Sequence, residues 1–483
     1  MQPYHDTIVR FDTFVAISDF VRASCEEPGS FEDFEAGLAK RMRALESDIK
    51  AEHLARYDID AQVIQVGEQE MHRCLVKEPK TYLSASGPIV VKRNLFRPSG
   101  GGKSVCALEL RAGIVGGLCT PVLARQVTYA MGHLTSTETA GLFVELGVQG
   151  PSSSTCDRIP KVVSEAWERH REQWDAALRV QETVPGEAVV MAVSLDGVMV
   201  PDKDAQREAK AERDKRKKSL AKATGGPAGY REVGCGTVSL FDADGKRLDT
   251  VRYGRAPEYK KRTLTTQLDA EVASILETRP DLTLVALADG AEENWRYFDG
   301  PTWESATKIV DHGHACQHMK AGLVAYYGAD SVNGRAEYER LKVILKDQHG
   351  GVDDVITAML SLERKLREKK AAKRGEALRK ERKYFENQRE RMAYARYQEL
   401  GLPIGSGVVE AACKTLATQR MKRSGMSWGG GKQAVLTIRS LQQSDRWQRG
   451  WRLLASAFQT APLVVRTRGL LKTYSQPDFA VAA

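Results

Sequence analysis

The segment from Glu187 to Val310 narrows the choice of fold more than any other part of the chain. Apolar, β-branched runs in this segment predict five strands, and regularly spaced leucines predict a helix before the fourth strand. An Asp-Ala-Asp-Gly sequence predicts the turn between the second and third strands. The predicted strands cover 187–200, 231–241, 246–253, 282–288 and 307–310, with the helix at 259–277. This order predicts an antiparallel meander, followed by a helical crossover that returns the fourth strand parallel to the first.

Two Asp-Gly pairs lie at the predicted ends of neighbouring strands in this sheet. Asp196 ends the first strand and Asp289 ends the fourth, so both carboxylates can project from one end of the sheet. Far downstream, Glu410 follows a Gly-Ser-Gly sequence that predicts the start of a helix. A single Asp-Gly pair is more typical of a turn than of a site. The two strand ends together with Glu410 favour a functional constellation.

Three converging carboxylates indicate a cation site, because they repel one another and are costly to bury without a positive charge. Magnesium prefers oxygen ligands and retains waters and substrate phosphates. Two such ions about 4 Å apart can activate an attacking oxygen and stabilise the leaving oxygen in a phosphoryl transfer. We therefore expect Asp196, Asp289 and Glu410 to be catalytic and to bind two Mg²⁺ ions, with Mn²⁺ as a possible substitute.

Histidine is concentrated in a short stretch after the fifth predicted strand. His312, His314 and His318 alternate with Cys316 at two-residue steps, which would line one face of a strand and suggest zinc. The same run predicts a helix, so the zinc interpretation is disfavoured. We interpret Asp311 and His314 as an Asp-x-x-His element that braces the sheet or lies near a scissile phosphate. The alternative is a histidine within a helix cap.

Positive charge is unevenly distributed along the chain, whose formal net charge is +9. Residues 413–483 carry 12 Lys and Arg against 2 acids, an excess of +10, and 361–400 carry 14 against 7, an excess of +7. The remainder is therefore net negative. This distribution predicts a polyanionic partner, most commonly a nucleic acid. The charges at 361–400 can equally coat a solvated helix.

Basic and aromatic residues cluster after Glu410. Cations there can hold DNA phosphates beside a metal site, and tryptophan can stack on a base, although a single tryptophan is more often part of a core. The candidate DNA-binding residues are Lys414, Arg420, Lys422, Arg423, Trp428, Lys432 and Arg439, with Trp295 as a second stacking candidate.

The rest of the chain is predicted to be mainly helical. Residues 1–80 and 121–170 follow helical spacing, the second range with that of a helix-turn-helix or an ordinary helical hairpin. Residues 88–111 predict two strands joined by a turn, and 317–400 predict helices. No apolar run is long enough to span a membrane, and the first twenty residues contain no signal core. With eight separate cysteines, a cytoplasmic protein with reduced thiols is expected.

Four motifs in this order resemble one known family. They are Ser-Leu-Asp-Gly at 194–197, Ala-Asp-Gly at 288–290, Asp311-x-x-His314, and Pro-Ile-Gly-Ser-Gly-Val-Val-Glu-Ala-Ala-Cys-Lys at 403–414. With the ending Gln-Arg-Met-Lys-Arg-Ser-Gly-Met-Ser-Trp, they are similar to bacterial insertion-sequence transposases of the ISKra type, relatives of the Mutator-like DDE enzymes. The resemblance extends from about Ile89 to Leu441, and the motif around Glu410 is its most specific part.

The resemblance implies a mixed α/β chain with an RNase H-like catalytic domain and a helical insertion. A mainly helical N-terminal DNA-binding region with a small β-hairpin would precede them. It implies catalytic roles for Asp196, Asp289 and Glu410, and a supporting role for the Asp311/His314 pair. Such enzymes bind the terminal inverted repeats of their own element in double-stranded DNA and join its 3′ ends to target DNA. A homodimer or higher oligomer on DNA, associated with the nucleoid, is expected.

These features predict six segments along the chain. A helical module and a β-hairpin with a helix-turn-helix-like region precede the catalytic core. A helical insertion interrupts that core, and a basic tail follows the helix that carries the glutamate. The predicted ranges are 1–85, 86–180, 185–316, 317–402, 403–445 and 446–483. The predicted function is DNA transposition by two-metal-ion phosphoryl transfer. An RNase H-like nuclease without strand transfer and a non-catalytic DNA-binding regulator are the alternatives.

Overall fold

The computed structural model describes residues 11–27, 29–148, 150–216 and 228–465. The chain divides into two compact units, one formed by Met1–Trp174 with Trp447–Ala483 and the other by Asp175–Arg446. Parts of three predicted segments lie outside the described residues: 1–10 of the N-terminal module, 217–227 of the first part of the catalytic core, and 466–483 of the basic tail. Within the described ranges, no helix combines the length and apolar character needed to cross a membrane.

The first unit combines helices with a five-stranded sheet. Its helices are α1 (Phe11–Glu26), α2 (Phe31–Ala55), α3 (Ala107–Ala112), α4 (Pro121–Met131), α5 (Ser136–Glu145), α6 (Ser153–Val180, which contains the boundary after Trp174) and α18 (Trp447–Ala457). Its strands are β1 (Val63–Val66), β2 (Gln69–Ser84), β3 (Gly87–Arg97), β4 (Val105–Cys106) and β10 (Leu463–Val464). The strand order is β10-β1-β2-β3-β4, and all neighbours are antiparallel.

This first sheet corrects the prediction of helices up to residue 80 and of only a small β-hairpin. The strands β1 and β2 occupy 63–84, and β2 pairs with β3 over nearly its whole length. Two register shifts, between Arg73 and Leu75 and between Leu75 and Glu78, interrupt that pairing. Each shift breaks the alternation of inward and outward side chains. The sequence of β2 therefore lacks the two-residue period by which a strand is recognised.

Helices α4, α5 and α6 confirm the helical prediction for 121–170. Thr135 begins α5 with a capping box: its hydroxyl accepts from the Glu138 N–H at 3.2 Å, and the Glu138 carboxylate accepts from the Thr135 N–H at 2.7 Å. These two hydrogen bonds satisfy backbone donors that a helix start leaves unpaired. The local sequence therefore determines where α5 begins.

The second unit contains the other sheet and most of the helices described. Its strands are β5 (Val190–Pro201), β6 (Tyr230–Phe241), β7 (Arg247–Arg255), β8 (Thr283–Ala288) and β9 (Thr307–Val310). Its helices are α7 (Lys203–Arg216), α8 (Arg262–Thr278), α9 (Glu292–Phe298), α10 (His312–Tyr327), α11 (Val332–Asp347), α12 (Gly351–Glu368), α13 (Ala372–Gln388), α14 (Tyr394–Glu399), α15 (Gly407–Ala412), α16 (Gln419–Met421) and α17 (Lys432–Gln443).

The second sheet confirms the predicted mixed topology. Its strand order is β7-β6-β5-β8-β9, with β5, β6 and β7 antiparallel and with β8 and β9 parallel to β5. Helix α8 provides the crossover between the meander and β8. An antiparallel meander extended on one side by parallel strands is the RNase H-like arrangement. The chain is therefore a mixed α/β protein with two sheets.

One continuous core joins the second sheet to the helices that follow it. Buried residues of β5 and β8 pack with those of α8 and α10, among them Val193, Leu268, Leu287 and Leu323. The same cluster includes buried side chains of α11 to α14. Helices α10 to α14 lie between β9 and α15, without a strand among them, as the helical prediction for 317–400 requires. This packing brings the helical segment against the carboxyl ends of β8 and β9.

Candidate functional site

Asp196 lies within strand β5 and not at its end, which corrects the prediction. The antiparallel partner β6 pairs with β5 as far as Pro201, opposite Tyr230, so β5 continues past Asp196. By contrast, β8 pairs with β5 only as far as Ser194. Asp196 therefore lies just beyond the edge at which β8 ends. Asp289 directly follows β8 at that edge.

Burial and neighbouring charges determine the state of the Asp196 carboxyl. Burial raises its pKa, and the negative charge of Asp289 raises the pKa further. The Gly197 N–H, 2.7 Å from Oδ1, and the Cys413 thiol, 3.4 Å from Oδ2, act in the opposite direction, as does His314. Asp196 and Asp289 therefore repel each other. A bound cation relieves repulsion of this kind.

Hydrogen bonds hold Asp289 at the turn after β8. Its Oδ1 accepts from the Ala291 N–H at 3.0 Å and from Asn294 Nδ2 at 2.9 Å. Its carbonyl oxygen accepts from the indole Nε1 of Trp295 at 2.7 Å. Asn294 also donates to the Leu195 carbonyl at 3.3 Å, which ties the turn to β5. Trp295 is only 3% exposed, so its indole supports this turn and does not present a stacking surface to DNA.

The helical segment packs against the same turn. The Tyr384 ring lies so close to Gly290 that a Cβ at this position would come within 2.0 Å of ring carbon Cε2. Gln388 donates to the Gly290 carbonyl at 3.4 Å, and the Arg391 guanidinium lies 4.3 Å from the centre of the Trp295 ring. Close packing therefore requires glycine at 290. Helix α13 and the turn after it help to hold the end of β8 in place.

Asp311 caps helix α10 and orients His314. Its Oδ1 accepts from the His314 N–H at 2.5 Å and lies 3.1 Å from His314 Nδ1, while its Oδ2 accepts from the Ser406 N–H. Burial raises the pKa of Asp311, but the hydrogen bonds from His314 and Ser406 outweigh burial and lower the pKa to about 2. The predicted Asp-x-x-His element is thus the cap of a helix, and its carboxylate remains ionised at neutral pH.

His314 links Asp311 to Glu410. Its Nδ1 lies 3.1 Å from Asp311 Oδ1 and 3.7 Å from Glu410 Oε1. The hydrogen bond to Asp311 raises the pKa of His314 to about 9, against the effect of burial, and the charges of Asp311, Asp289 and Glu410 contribute in the same direction. At neutral pH, His314 is therefore a cation among carboxylates.

Within the described chain, one set of ligating side chains has the spacing of a single metal site. This set is Asp311, His314 and Glu410, whose donor atoms all lie within 4.8 Å of one another. Asp196 and Asp289 do not belong to it, so the structure brings Glu410 to the Asp311/His314 pair at this spacing. Sequence reasoning assigned that pair only a supporting role. The available signal was the Asp-x-x-His spacing itself, because an N-cap aspartate naturally lies beside the residue three positions later.

The histidines of α10 face different partners, as expected for a helix and not for a zinc-binding strand. His318 Nδ1 lies 2.6 Å from Glu381 Oε2, and its ring stacks on Tyr384 at a centroid distance of 3.7 Å. His312 contacts Cys316, with Nε2 3.6 Å from the sulfur. Of these three histidines, His314 is the one that contacts Asp311 and Glu410.

Burial separates the predicted DNA-binding residues into two sets. Two lysines are exposed, and one arginine and one tryptophan are half-buried; these are Lys414, Lys422, Arg423 and Trp428. The other four are Lys432, which is half-buried, and the buried Trp295, Arg420 and Arg439. Internal partners occur in both sets, because Arg423 Nε donates to the Gln419 carbonyl and Trp428 Nε1 donates to the Met421 carbonyl. Local sequence does not distinguish the two sets, because a cation in a polar stretch looks the same whether it pairs with a phosphate or with a protein oxygen.

Internal contacts account for the three buried or partly buried cations. Arg439 is 5% exposed and donates to the Thr415 carbonyl at 2.6 Å. Lys432 forms an ion pair with Asp202, whose side chain is fully buried. Arg420 is 3% exposed. These side chains stabilise the region around α15 to α17, which corrects the expectation that they are presented to DNA.

Comparison with known proteins adds little to this geometry. No protein-family model matches the chain, and no curated protein matches it. Among solved structures, a strand transfer complex of the Drosophila P element transposase is similar over 70% of this chain and 83% of that chain. The two share 10% sequence identity, with a TM-score of 0.23. A TM-score of this size establishes neither a shared fold nor a shared activity.

Proposed function

We propose that the chain is a DNA transposase of the DDE type, which cuts DNA at the ends of a mobile element and joins the 3′ ends to target DNA. The observation that carries this proposal is a set of acids at one edge of an RNase H-like sheet. Asp196 on β5 and Asp289 after β8 interact electrostatically. His314, which is held by Asp311 and lies beside Glu410, interacts with both of them.

The donor set fits divalent cations. Carboxylates that raise one another's pKa across a short gap are neutralised by a hard cation, and magnesium prefers carboxylate oxygens. In this proposal, Asp196, Asp289 and Glu410 hold Mg²⁺ ions, with Mn²⁺ as a substitute. When bound, such ions supply Lewis-acid stabilisation of the charge that develops on a phosphate during its displacement.

The remaining side chains hold a DNA strand and the acids in position. Lys414 and Lys422 are exposed after Glu410 and can pair with phosphates. The hydrogen bonds of Asn294 and Trp295 keep the Asp289 turn in place before substrate arrives. A site of this kind contributes mainly position and charge, since phosphoryl transfer requires little covalent participation by the protein.

The proposed substrate is double-stranded DNA that carries the terminal inverted repeats of the element, together with target DNA. The charge excess of +10 in 413–483 supports a nucleic-acid partner. A homodimer or larger oligomer is proposed because the joining of two ends requires at least two active sites. A nuclease that cuts without joining and a DNA-binding regulator that does neither are the two alternatives.

The variant Asp289→Asn tests the proposal on the purified full chain. The substrate is a duplex made from DNA that flanks the chain's own coding sequence, cut beforehand to expose a 3′-hydroxyl. We expect wild-type protein to join this end to a second labelled duplex in Mg²⁺. The variant should bind the duplex with unchanged affinity and join it roughly 100-fold or more slowly, because in this proposal the carboxylate binds the metal ions and does not contact the DNA itself.

A matched control is Asp244→Asn, which alters an exposed acid in the turn between β6 and β7 and should leave joining unchanged. Full joining activity in Asp289→Asn would show that Asp289 is not a catalytic residue. Wild-type protein that cuts the duplex but never joins it is a nuclease. Wild-type protein that binds the duplex and neither cuts nor joins it in any divalent ion is a regulator.

A further inference from the structure

The spacing of Asp311, His314 and Glu410 matches the ligands of one ion. Two ligands at about 2.1 Å from an ion, in neighbouring octahedral positions, lie about 3 Å from each other. His314 Nδ1 is 3.1 Å from Asp311 Oδ1 and 3.7 Å from Glu410 Oε1. All three donor atoms lie within 4.8 Å of one another.

The protein holds one side of this group rigid and leaves the other side open. The Asp311 side chain is 3% exposed, and backbone N–H groups of His314 and Ser406 fix its two oxygens. The His314 side chain is 27% exposed, and that of Glu410 is 49% exposed. Outer hydrogen bonds that orient a ligating carboxylate are typical of protein metal sites. An ion can therefore enter from the side of Glu410 and meet an oriented carboxylate.

A second observation concerns Tyr384, whose electrostatic neighbours include Asp289 and Asp311. The Tyr384 hydroxyl oxygen is buried and has no hydrogen-bond partner within the described chain. Burial and the negative charges of Asp289 and Asp311 raise its pKa, so it remains a donor. A buried donor without an acceptor is unfavourable and uncommon.

We propose that Asp311, His314 and Glu410 form a binding site for a divalent transition-metal ion of the Fe²⁺ to Zn²⁺ series. Binding releases to solvent the proton that His314 Nδ1 carries in the metal-free protein. The free imidazole nitrogen suits these ions, whereas magnesium is bound almost entirely through oxygens. This inference deepens the proposed function by naming a second class of ion at the same edge of the sheet. It rests on that function only for the role of the ion, because binding itself requires no DNA.

Cobalt is the probe, since its visible absorption reports nitrogen ligation and coordination number. The full-length protein without DNA is titrated with Co²⁺, and absorption and heat are recorded. We expect one Co²⁺ site whose spectrum shows nitrogen ligation. The variant His314→Gln should raise the Kd of that site roughly 100-fold and change the spectrum to that of an all-oxygen site. The variant Glu410→Gln, at an exposed position that tolerates substitution, should also weaken binding about 10-fold or more.

The control is His349→Gln, which changes an exposed histidine paired with Glu399 and should leave the Co²⁺ titration unaltered. Equal Co²⁺ affinity and an equal spectrum in wild type and His314→Gln would overturn the proposal and leave an imidazolium–carboxylate network only. If the protein joins DNA ends in Mg²⁺ but its Co²⁺ binding does not depend on His314, the proposed transition-metal site is wrong and the proposed function stands. If Co²⁺ binding depends on His314 but the protein neither cuts nor joins DNA, the transition-metal site is supported and the proposed function is wrong.

Discussion

The two sheets of this chain differ in how well their sequences predict them, and burial is the reason. In the second unit, β8 is buried from Leu284 to Ala288 and β6 from Val233 to Phe241. In the first unit, most side chains of β2 are exposed. A strand covered on both faces must be continuously apolar, whereas an exposed and bulged strand has no such constraint. The buried sheet was therefore predicted strand by strand, and β2 was assigned to a helix.

The same difference should govern stability, and two comparisons between the units and one pH experiment within the second unit test it. If burial sets the contribution of each residue, changes in the second unit should lower the free energy of unfolding far more than matched changes in the first. Hydrogen exchange measured in urea, followed separately in peptides from β5 to β8 and from β2 to β3, resolves the two units.

The largest effect is expected at a charged cluster buried in the second unit. Arg446 donates to Glu182 and Glu271, and Glu271 is only 1% exposed. Arg446→Ala leaves a buried carboxylate without its cation, so we expect a loss of about 3–5 kcal/mol. In the first unit, Lys80→Ala removes one partner of Glu109, whose side chain is 20% exposed, and should cost about 0–1 kcal/mol. Similar losses for the two variants would contradict the comparison.

A smaller difference is expected for one leucine in each sheet. Leu287 on β8 is 2% exposed, and Leu75 on β2 is 45% exposed. Leu287→Ala removes packed methyl groups and leaves a cavity, so it should destabilise its unit by about 2–4 kcal/mol. Leu75→Ala should change stability by less than about 0.5 kcal/mol. A loss at Leu75 as large as that at Leu287 would show that exposed strands contribute more than burial indicates.

The smallest effect concerns pH. Burial raises the pKa of Asp175 to about 6 from a usual value of 3.8, although Gln267 donates to it at 2.8 Å. The folded state therefore holds this proton more tightly than the unfolded state, and stability falls as pH rises from about 4 to about 6. Asp175→Asn should be about 1–2 kcal/mol more stable than wild type at pH 7 and equal to it near pH 4.

Melting temperatures of both proteins between pH 4 and pH 7 measure this difference. A difference in melting temperature between the two proteins that widens as pH rises supports burial as the cause of the raised pKa of Asp175. A difference in melting temperature that stays constant, or that narrows as pH rises, shows that the partners of Asp175 compensate the charge of its carboxylate. The second unit would then tolerate buried charge.

The candidate site was only partly accessible to prediction. The ends of β8 and β9 are fixed by local apolar runs, so Asp289 and Asp311 were correctly positioned along the chain. The place of Asp196 within β5 was misjudged, because the length of that strand depends on its pairing with β6 and not on the Asp-Gly pair. The supports of the site were unpredictable for a similar reason. Tyr384 and Gln388 reach Gly290 from a helix almost a hundred residues away in sequence.

By itself, the sequence determined the order of the strands and the crossover helix, since period and apolar continuity are local properties of a chain. It also determined the caps of short helices and the excess of positive charge after residue 413. Only the tertiary structure decided which acids lie close together, which cations point inward, and why residue 290 must be glycine. Those outcomes depend on side chains that are distant in sequence and meet only when the core closes, so no local pattern encodes them.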